Sequence, residues 1–548
     1  MSSKTYGRIK ILTDMVLNGN IEHDREIIPK IIENALPHHL KNVGAYSINE
    51  SWYFNDTAKI LSKEKHIREE INNKFTFATA KSVVEMNNGY CFGEPFKYVT
   101  NEAEQSKQEQ MTAFNKCLKL AQNHQHTRTC AENAAKFGIA YKLALPPTKN
   151  DVEKGKFFRI VSDIDNNNTF KVYSNTIEKE EVLGVTYYNR VVVDENGIEK
   201  KDGSTEDVFT CWTKYHQWVF VKDSKANYRN IPFSVRIDNV LTELQAFPLN
   251  VSVEGVANAT LIPLHEYERT GDRVGDFELS IKLMDAINVL ASCRVDSVQQ
   301  STDFIIKLRD IDLGEFDEEG KNPVLERIQK YMSHHFLAVE SRDGADIQPD
   351  IDVLDIPLNQ SQVQELQDFL YSMLQEELQQ PTRSGGTGQD TGIAVENRNG
   401  YRQFENLATK ISDYMIYGEL QFIEKLLEIG KKQEGCPFKD LEIGDIEIKP
   451  MRNKSENKKT AVENYREMRN AGVNPYTAYA ESGLVADISD TIKMDEEWKA
   501  KEQEFLLENE LKREKALQKI KPKTEQSVED NADGSDKTEK VDELKTEK

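Results

Sequence analysis

The sequence predicts an α+β fold built around long helices, and three observations predict it. Apolar residues recur every three or four positions over 274–303, 358–380 and 393–432, which indicates long amphipathic helices. Over 156–262 the period changes to two, and short β-rich runs alternate with Asn, Asp and Gly turns, which indicates an antiparallel sheet. A glycine-rich segment, 381–392, joins the last two long helices.

Helices are expected to precede the sheet. A short helix is predicted over 22–36, with about twenty irregular residues after it. Helical patterns recur over 57–88, 103–123 and 125–138. In the first of these three patterns, four residues are expected to face inward: Phe75, Ala78, Val83 and Met86.

The helices over 274–303 and 358–380 flank a small mixed module, 304–357. It contains two strand-like runs with an acidic, Gly-containing turn between them. This order predicts a stalk that carries a small α/β head. In the later helix over 393–432, Gly400 and Gly418 are the expected kink points.

The glycine-rich segment begins where Pro381 ends the preceding helix, because proline has no N–H to donate and its ring blocks the previous turn. Four glycines follow within eight positions, and they make the backbone permissive and exposed. The tip of an ordinary helical hairpin remains an alternative interpretation. A phosphate-binding loop is disfavoured, because Gly392 is followed by Ile393 and Ala394 instead of Lys and Ser or Thr.

The last part of the chain predicts a linker after 432, a weak β stretch, and helices near 455–470, 475–483 and 490–518. The final segment, 521–548, has one Val and one Leu as its only large apolar residues. We expect it to form a disordered acidic tail, because it cannot bury enough apolar surface to order itself.

Composition bounds the function. The 548 residues carry a formal net charge of −22, which argues against a surface that binds nucleic acid tightly. The charge is compatible with a surface along which nucleic acid slides without binding. The sequence contains no run of about 18 continuous apolar residues, so it predicts no membrane span. The first twenty residues predict no secretory signal. Six cysteines without a CxxC pattern are expected to be reduced, mostly buried thiols of an intracellular protein.

No constellation of residues supports an enzyme. The strongest metal candidate, His124 and His126 with Cys130, does not fall on one helical face and lacks a fourth ligand at zinc-like spacing. The run 163–168 resembles the start of a calcium loop but lacks its glycine and its bidentate Glu, so a hairpin turn is favoured. We therefore expect no catalytic residue, metal or cofactor.

Four short patterns, in this order and spacing, resemble the portal proteins of tailed bacteriophages, the siphophage-type family, over roughly residues 45–515. They are Gly89-Tyr90-x-x-Gly93-x-Pro95-Phe96-x-Tyr98 after a helix, Lys136–Tyr141, Ile262–Tyr267 followed by Gly275–Glu278 and Leu283–Asn288, and Ser384–Gly388 before the long helix. Ile287 stands where the family commonly has Tyr.

The resemblance implies a ring, typically of twelve subunits, at one vertex of the capsid. It also implies a portal-like division of the chain: an α+β wing over 1–272 (β-rich over 156–262), a stem helix over 273–303, a clip over 304–357, a second stem helix over 358–380, a tunnel loop over 381–392, a long tunnel helix over 393–432, a helical crown over 433–520 and the tail over 521–548.

Two sets of site residues follow from the resemblance. The tunnel loop, facing a DNA channel, comprises Thr382, Arg383, Ser384, Gly385, Gly386, Thr387, Gly388 and Gln389. The clip surface that docks partners comprises Glu315, Phe316, Asp317, Glu318 and Glu319. Arg383 either touches DNA phosphates transiently or is a solvated arginine.

The implied function is a non-enzymatic conduit for packaging and ejecting double-stranded DNA without sequence specificity. Implied partners are further copies of the chain, the large subunit of terminase, a head-completion or neck protein, and the major capsid and scaffolding proteins, with no membrane. The implied location is the virion, and the host cytoplasm during assembly. The alternative is a helical scaffold or adaptor that never encircles DNA, and a nucleotide-using enzyme is a third reading.

Overall fold

In the computed structural model the chain is described over residues 7–56, 59–64, 71–100, 105–192, 205–223, 226–237, 240–250, 261–302, 305–309, 350–354, 360–381, 401–452, 458–482, 484 and 488–520. The chain divides into two compact units, Met1–Asn453 and Lys454–Lys548. The mixture of helices and sheets confirms the predicted α+β class.

The helices and strands of the described residues are these. The α-helices are α1 Ile21–Tyr53, α2 Thr79–Phe92, α3 Gln105–Leu120, α4 Asn123–Phe137, α5 Lys149–Glu153, α6 Ile281–Thr302, α7 Gln360–Glu377, α8 Tyr401–Lys431, α9 Lys458–Asn470, α10 Pro475–Ser482 and α11 Ile488–Ile520. The strands are β1 Ile11–Thr13, β2 Lys97–Thr100, β3 Ile139–Leu145, β4 Arg159–Val161, β5 Thr169–Ser174, β6 Glu181–Val191, β7 Thr205–Trp212, β8 His216–Lys222, β9 Tyr228–Asn230, β10 Phe233–Ile237, β11 Val240–Leu244, β12 Ala246–Pro248, β13 Leu264–Glu268, β14 Ile305–Arg309, β15 Asp350–Leu354 and β16 Ile446–Lys449.

The β-rich region forms a seven-stranded sheet in the order β1-β5-β6-β7-β8-β12, with β9 also pairing with β8. All neighbours are antiparallel except β1 and β5. Helix α1 covers one face with Ile28, Ile31, Ile32 and Ala35, which recur at helical spacing and are buried against Phe170, Leu183 and other residues of the sheet.

A second core surrounds the three-stranded sheet β13-β3-β4. Helix α8 buries a continuous stripe there, as its apolar period predicts. The stripe includes Ala408, Ile411, Met415, Phe422, Leu426 and Ile429. Strand β16 pairs with β2, so residues up to 452 belong to the same compact unit as α8. The sequence predicts the boundary earlier, after 432.

Helix α1 is one helix of 33 residues, so the prediction of an irregular stretch after residue 36 is wrong. Asn20 caps its start by accepting hydrogen bonds from the N–H groups of Glu22 and His23. The helix runs through Pro29 and Pro37, and Tyr46 and Trp52 on its second half are buried. This packing maintains the helix where local propensity predicts a break.

The prediction of a helix over 57–88 is also wrong in its first part. Helix α2 begins at Thr79, and residues 71–78 carry no regular structure. Val83 is buried as expected, but Phe75, Ala78 and Met86 are exposed.

A polar ladder on α6 explains why residues 73–77 are not helical. The backbone N–H groups of Asn73, Phe75 and Phe77 donate to the side chains of three α6 residues. The acceptors, spaced four residues apart, are Asp296 at 2.8 Å, Ser292 at 2.9 Å and Asn288 at 3.2 Å. Every second backbone N–H of residues 73–77 therefore donates to a side chain of α6. These hydrogen bonds replace those that the N–H groups would make within a helix.

Helices α6 and α7 pack side by side, with Met284 and Ile287 against Leu374 and Leu378. Helix α6 begins at Ile281, seven residues after the predicted start, because the preceding residues are used in other contacts. The Asp276 N–H donates to the Ala135 carbonyl, and the Gly275 N–H donates to Glu278 Oε2.

We predict that Ser292→Ala accelerates amide hydrogen exchange in peptides covering 71–78 about fivefold or more. The Phe75 N–H would lose its acceptor, at a cost of about 1–3 kcal/mol. Hydrogen-exchange mass spectrometry measures this. Ser297→Ala is the matched control, because that hydroxyl donates only to Cys293 O in its own helix. Equal exchange in both variants would contradict the ladder.

Candidate functional site

The residues predicted for the tunnel loop, Thr382 to Gln389, and for the clip surface, Glu315 to Glu319, lie outside the described residues. The structure does describe the two flanks of 382–400, namely the end of α7 and the start of α8. It also describes the contacts that hold these flanks.

Helix α2 holds both flanks. On the outgoing side, Gln380 Nε2 donates to Asn87 Oδ1 at 3.0 Å. On the incoming side, the ring of Phe404 lies 5.0 Å from the ring of Tyr90, and the Tyr90 hydroxyl donates to Glu405. Burial and the Glu405 carboxylate raise the pKa of Tyr90, so this phenol stays protonated and remains a donor.

Asn87 is held by a buried ion pair. Its Nδ2 donates to Asp276 Oδ2 at 2.8 Å, and Asp276 accepts two hydrogen bonds from Arg269 at 2.7 and 2.6 Å. Arg269 also donates to Asn88 Oδ1 at 3.1 Å. A bidentate arginine–carboxylate pair fixes orientation as well as distance, so α2 is set rigidly against the segment that leads into α6.

The long helix α8 is fixed to the rest of the unit by Glu419, which is fully buried. Its carboxylate accepts from Lys142 at 2.8 Å, Tyr267 at 2.7 Å, Tyr98 at 2.9 Å and Asn123 at 2.8 Å. Burial acts to raise the pKa of Glu419. The Lys142 charge and the hydrogen bonds outweigh it, so the pKa is lowered and the group stays ionised.

Glycine permits this contact. A Cβ at Gly418 would stand 2.8 Å from the Tyr267 ring, which is closer than carbon atoms pack. Helix α8 runs through Gly418 without interruption. The glycine expected as a kink point thus serves close packing against β13, and Gly400 lies outside the described residues.

A second buried cluster lies about 1.7 turns further along α8. Lys425 Nζ donates to Glu181 Oε2 and to the Ile262 carbonyl, each at 2.8 Å. Lys171, fully buried, also pairs with Glu181. Burial and the neighbouring Lys425 lower the pKa of Lys171 to about 7. The pair Lys425–Glu181 links α8 to the seven-stranded sheet.

Three of the four patterns that carry the resemblance converge here. Tyr98 from the first and Tyr267 from the third both donate to Glu419. Tyr141 from the second donates to Glu266 of the third at 3.0 Å. Gly138 of the second pattern ends α4 with φ at +81°, and a Cβ there would stand 2.3 Å from the Arg273 carbonyl oxygen. These three patterns thus supply packing and hydrogen-bonding residues to three clusters of the larger unit.

The weaker candidate sites do not assemble. His126 Nδ1 pairs with Ser162 Oγ at 2.9 Å, and Cys130 is buried, which raises the pKa of its thiol to about 12. Among the described residues, no group of His, Cys, Asp and Glu has metal-site geometry. The run 163–168 connects β4 to β5, which belong to different sheets, so the predicted hairpin turn is wrong. Asp165 caps that turn by accepting from the Asn167 N–H.

Sequence reasoning missed Glu419 and Lys425 as organising residues. A signal was present, because both interrupt the apolar stripe of α8: Glu419 is four residues after Met415 and three before Phe422. A charge on the buried stripe of a helix needs a buried partner, which periodicity alone does not identify.

Comparison with known proteins gives one family. A family model described as phage portal protein, SPP1 Gp6-like, matches residues 32–505, which is most of the chain. A search of curated proteins found no match. Within the described part of the chain, no helix combines the length and apolar character that crossing a membrane requires.

We predict that Glu419→Gln lowers the stability of the larger unit by about 3–5 kcal/mol, because it leaves the Lys142 charge buried without its counter-ion. A fall in the thermal unfolding midpoint measures the effect. The contribution of Glu419 is present above about pH 4.3 and is lost as the pH falls through the lowered folded pKa.

Two further variants provide the controls. Glu424→Gln, on the exposed side of α8, should change stability by less than about 0.5 kcal/mol. Adding Lys142→Met to Glu419→Gln should recover much of the loss, because the unpaired charge is removed. If Glu419→Gln proved as mild as Glu424→Gln, the assigned role of this carboxylate would be wrong.

Proposed function

This chain belongs to the phage portal protein family, and on that premise we propose that it forms the ring through which DNA enters and leaves the capsid. The match over 32–505 carries the proposal, because it spans both the sheet-rich part and the long helices. Portal proteins are structural, they form oligomeric rings, and they occupy the portal vertex of the virion.

The proposed functional parts follow one another in the order of the chain. The sheet-rich part before α6 is the wing, and α6 and α7 are the two stem helices. Residues 304–357 are the clip, on which Glu315 to Glu319 meet the terminase and later the neck protein. Residues 382–389 face the channel, and α8 supports them. The part after 432 was assigned to a crown, but 433–452 pack with α8, so we assign the crown to the unit that begins at Lys454.

The negative net charge of the chain supports a channel that does not bind the DNA passing through it. Each chain carries a formal net charge of −22, and a ring multiplies this. An acidic lumen repels DNA phosphates and lowers the cost of sliding. Glycines let the backbone of each copy of the loop adopt a different conformation. This suits a ring whose rotational symmetry differs from the helical symmetry of the DNA duplex inside it. Arg383 would supply transient phosphate contact. The force for packaging would come from a separate ATPase, since no phosphate-loop sequence occurs in this chain.

Uncovered apolar side chains on α7 support contact between subunits. Leu366, Phe369 and Met373 recur at helical spacing and are 48%, 57% and 38% exposed. The neighbouring apolar residues, Leu374 of α7 and Leu378 directly after it, are already buried against α6. On α6, Val289 and Cys293 are exposed. In a ring each subunit contacts its two neighbours through two different surfaces. The exposed residues of α7 would form one of these surfaces and those of α6 the other.

We predict that the purified chain forms a closed ring of about twelve copies and that Phe369→Glu breaks it into smaller species. Placing a charge in an apolar subunit contact costs several kcal/mol per contact, while an exposed position leaves the fold intact. Mass photometry measures the copy number. Tyr371→Glu, on the opposite side of α7, is the matched control and should keep the ring.

The same measurement tests the rival functions. A stable monomer or dimer of the unaltered chain would favour the helical scaffold or adaptor that never encircles DNA. ATP turnover by the isolated chain would favour an enzyme.

We predict that replacing Gly385, Gly386 and Gly388 with leucine blocks DNA packaging but leaves ring formation intact. Bulky side chains would narrow the channel and stiffen the loop, while the subunit contacts on α6 and α7 are untouched. Packaged DNA in an in vitro assay and ring mass are the two readouts. Full packaging by rings of the triple variant would show that the loop does not line the channel.

A further inference from the structure

Residues 7–13 form an N-terminal strap that lies before residue 32, where the match to the portal family begins. The last three residues of the strap are strand β1, which pairs in parallel with β5 in the seven-stranded sheet. In the middle of the strap, the Ile9 N–H donates to Asn42 Oδ1 at 2.8 Å, and Asn42 Nδ2 donates to the Ile9 carbonyl at 3.1 Å. The strap is therefore fixed both to the sheet and to α1.

The first two residues of the strap lie against the segment that leads into α6. Gly7 has φ at +87°, and a Cβ there would collide with the Asp272 carbonyl oxygen, so this position requires glycine. The Arg8 N–H donates to the Arg273 carbonyl at 3.1 Å. The side chain of Arg8 is buried, and its Nε donates to the Phe137 carbonyl at the end of α4 at 2.8 Å. The strap thus connects the sheet to the entry of α6.

The guanidinium of Arg8 forms a bidentate pair with Glu278. Its two terminal nitrogens donate to the two carboxylate oxygens at 3.0 and 2.8 Å. The same carboxylate accepts from Asn49 Nδ2 of α1 at 3.0 Å. Glu278 lies three residues before Ile281, where α6 begins. Because a bidentate pair fixes orientation as well as distance, Arg8 sets the direction in which the chain enters α6.

The short turn between Glu278 and α6 is joined to α7 as well. Ser280 is buried, and its Oγ donates to Glu377 Oε2 of α7 at 3.0 Å. Phe277, directly before the turn, is buried in the same cluster as Leu374 of α7. A displacement of this turn would therefore change the tilt of α6 relative to α7. These two helices carry the surfaces proposed above for contact between subunits.

The number of copies in a closed ring is sensitive to this tilt. Twelve copies turn about 30° from one contact to the next, and a ring with one more copy turns about 28°. Helix α6 has 22 residues and is about 33 Å long. A tilt of about 2° moves its far end by about 1 Å. A loosened joint at the start of α6 is therefore enough to admit rings of other copy numbers.

We propose that Arg8 is a positioning residue for ring closure: by clamping Glu278 it holds the start of α6 at one angle and so selects one copy number. This role requires the bidentate geometry in addition to the positive charge. When Arg8 is replaced, Asn49 and the Gly275 N–H still bind Glu278, so we expect the fold to survive. The inference rests on the proposed function, because it takes the ring as its setting.

Native mass spectrometry of the purified full-length chain tests this role. The unaltered chain should give rings of one mass. Arg8→Lys keeps the positive charge but cannot form a bidentate pair, because an ammonium group is a point charge. We expect Arg8→Lys and Arg8→Gln to give rings of at least two masses that differ by the mass of one chain. The matched control, Lys10→Gln, removes the partly exposed pair of the same strap with Glu268 and should keep one mass.

Hydrogen exchange separates positioning from general destabilisation. In Arg8→Lys, exchange should rise about fivefold or more in peptides covering 274–281, because the anchor of that segment is loosened. Peptides from β7 and β8 should exchange as in the unaltered chain. Faster exchange throughout β7 and β8 would indicate general destabilisation and would overturn the positioning role.

The ring masses decide the remaining outcomes. If Arg8→Lys and Arg8→Gln both gave rings of one unchanged mass, the inference would be wrong even if exchange rose, and the proposed function would stand. A mixture of masses from Lys10→Gln would also overturn it, because any disturbance of the strap would then suffice. Should Arg8→Gln fail to fold, Arg8→Lys decides. A monomeric unaltered chain would count against the proposed ring and would remove the inference with it.

Discussion

A single buried carboxylate, Glu419, determines how the larger unit is arranged. An ionised group without water must be surrounded by donors, and Glu419 collects them from four separate elements: Tyr98 on β2, Asn123 on α4, Lys142 on β3 and Tyr267 on β13. Removing any of these elements leaves a charge or a polar group unsatisfied. These hydrogen bonds, together with the buried apolar stripe, hold helix α8 against the sheet.

This fixed helix has a consequence for the segment beside it. The start of α8 is held to α2 through Phe404 and Glu405, and the end of α7 is held to α2 through Gln380. Asn87 and Tyr90, one turn apart on α2, thus set where the chain leaves and re-enters around 382–400. The buried pair of Arg269 and Asp276 supplies the rigidity behind Asn87.

The sequence predicted the elements that follow from periodicity and missed those that depend on distant partners. The long apolar stripe of α8 is predicted by helical spacing alone and is buried, whereas only part of the α7 stripe is buried. Residues 73–77 read as helix, yet their N–H groups bond to Asn288, Ser292 and Asp296, more than two hundred positions away. Likewise, nothing local marks Lys142 as the partner of Glu419. Three of the patterns that carry the family resemblance are informative because Tyr98 and Tyr267 donate to Glu419 and Tyr141 donates to Glu266.

Electron cryomicroscopy of the purified, assembled chain tests the central claim most directly. We predict a closed ring in which α8 is seated on β13 through Glu419 and its Tyr401 end points to a central channel, with 382–400 at the channel wall. A ring with Tyr401 on its outer rim, or particles without a central opening, would contradict it.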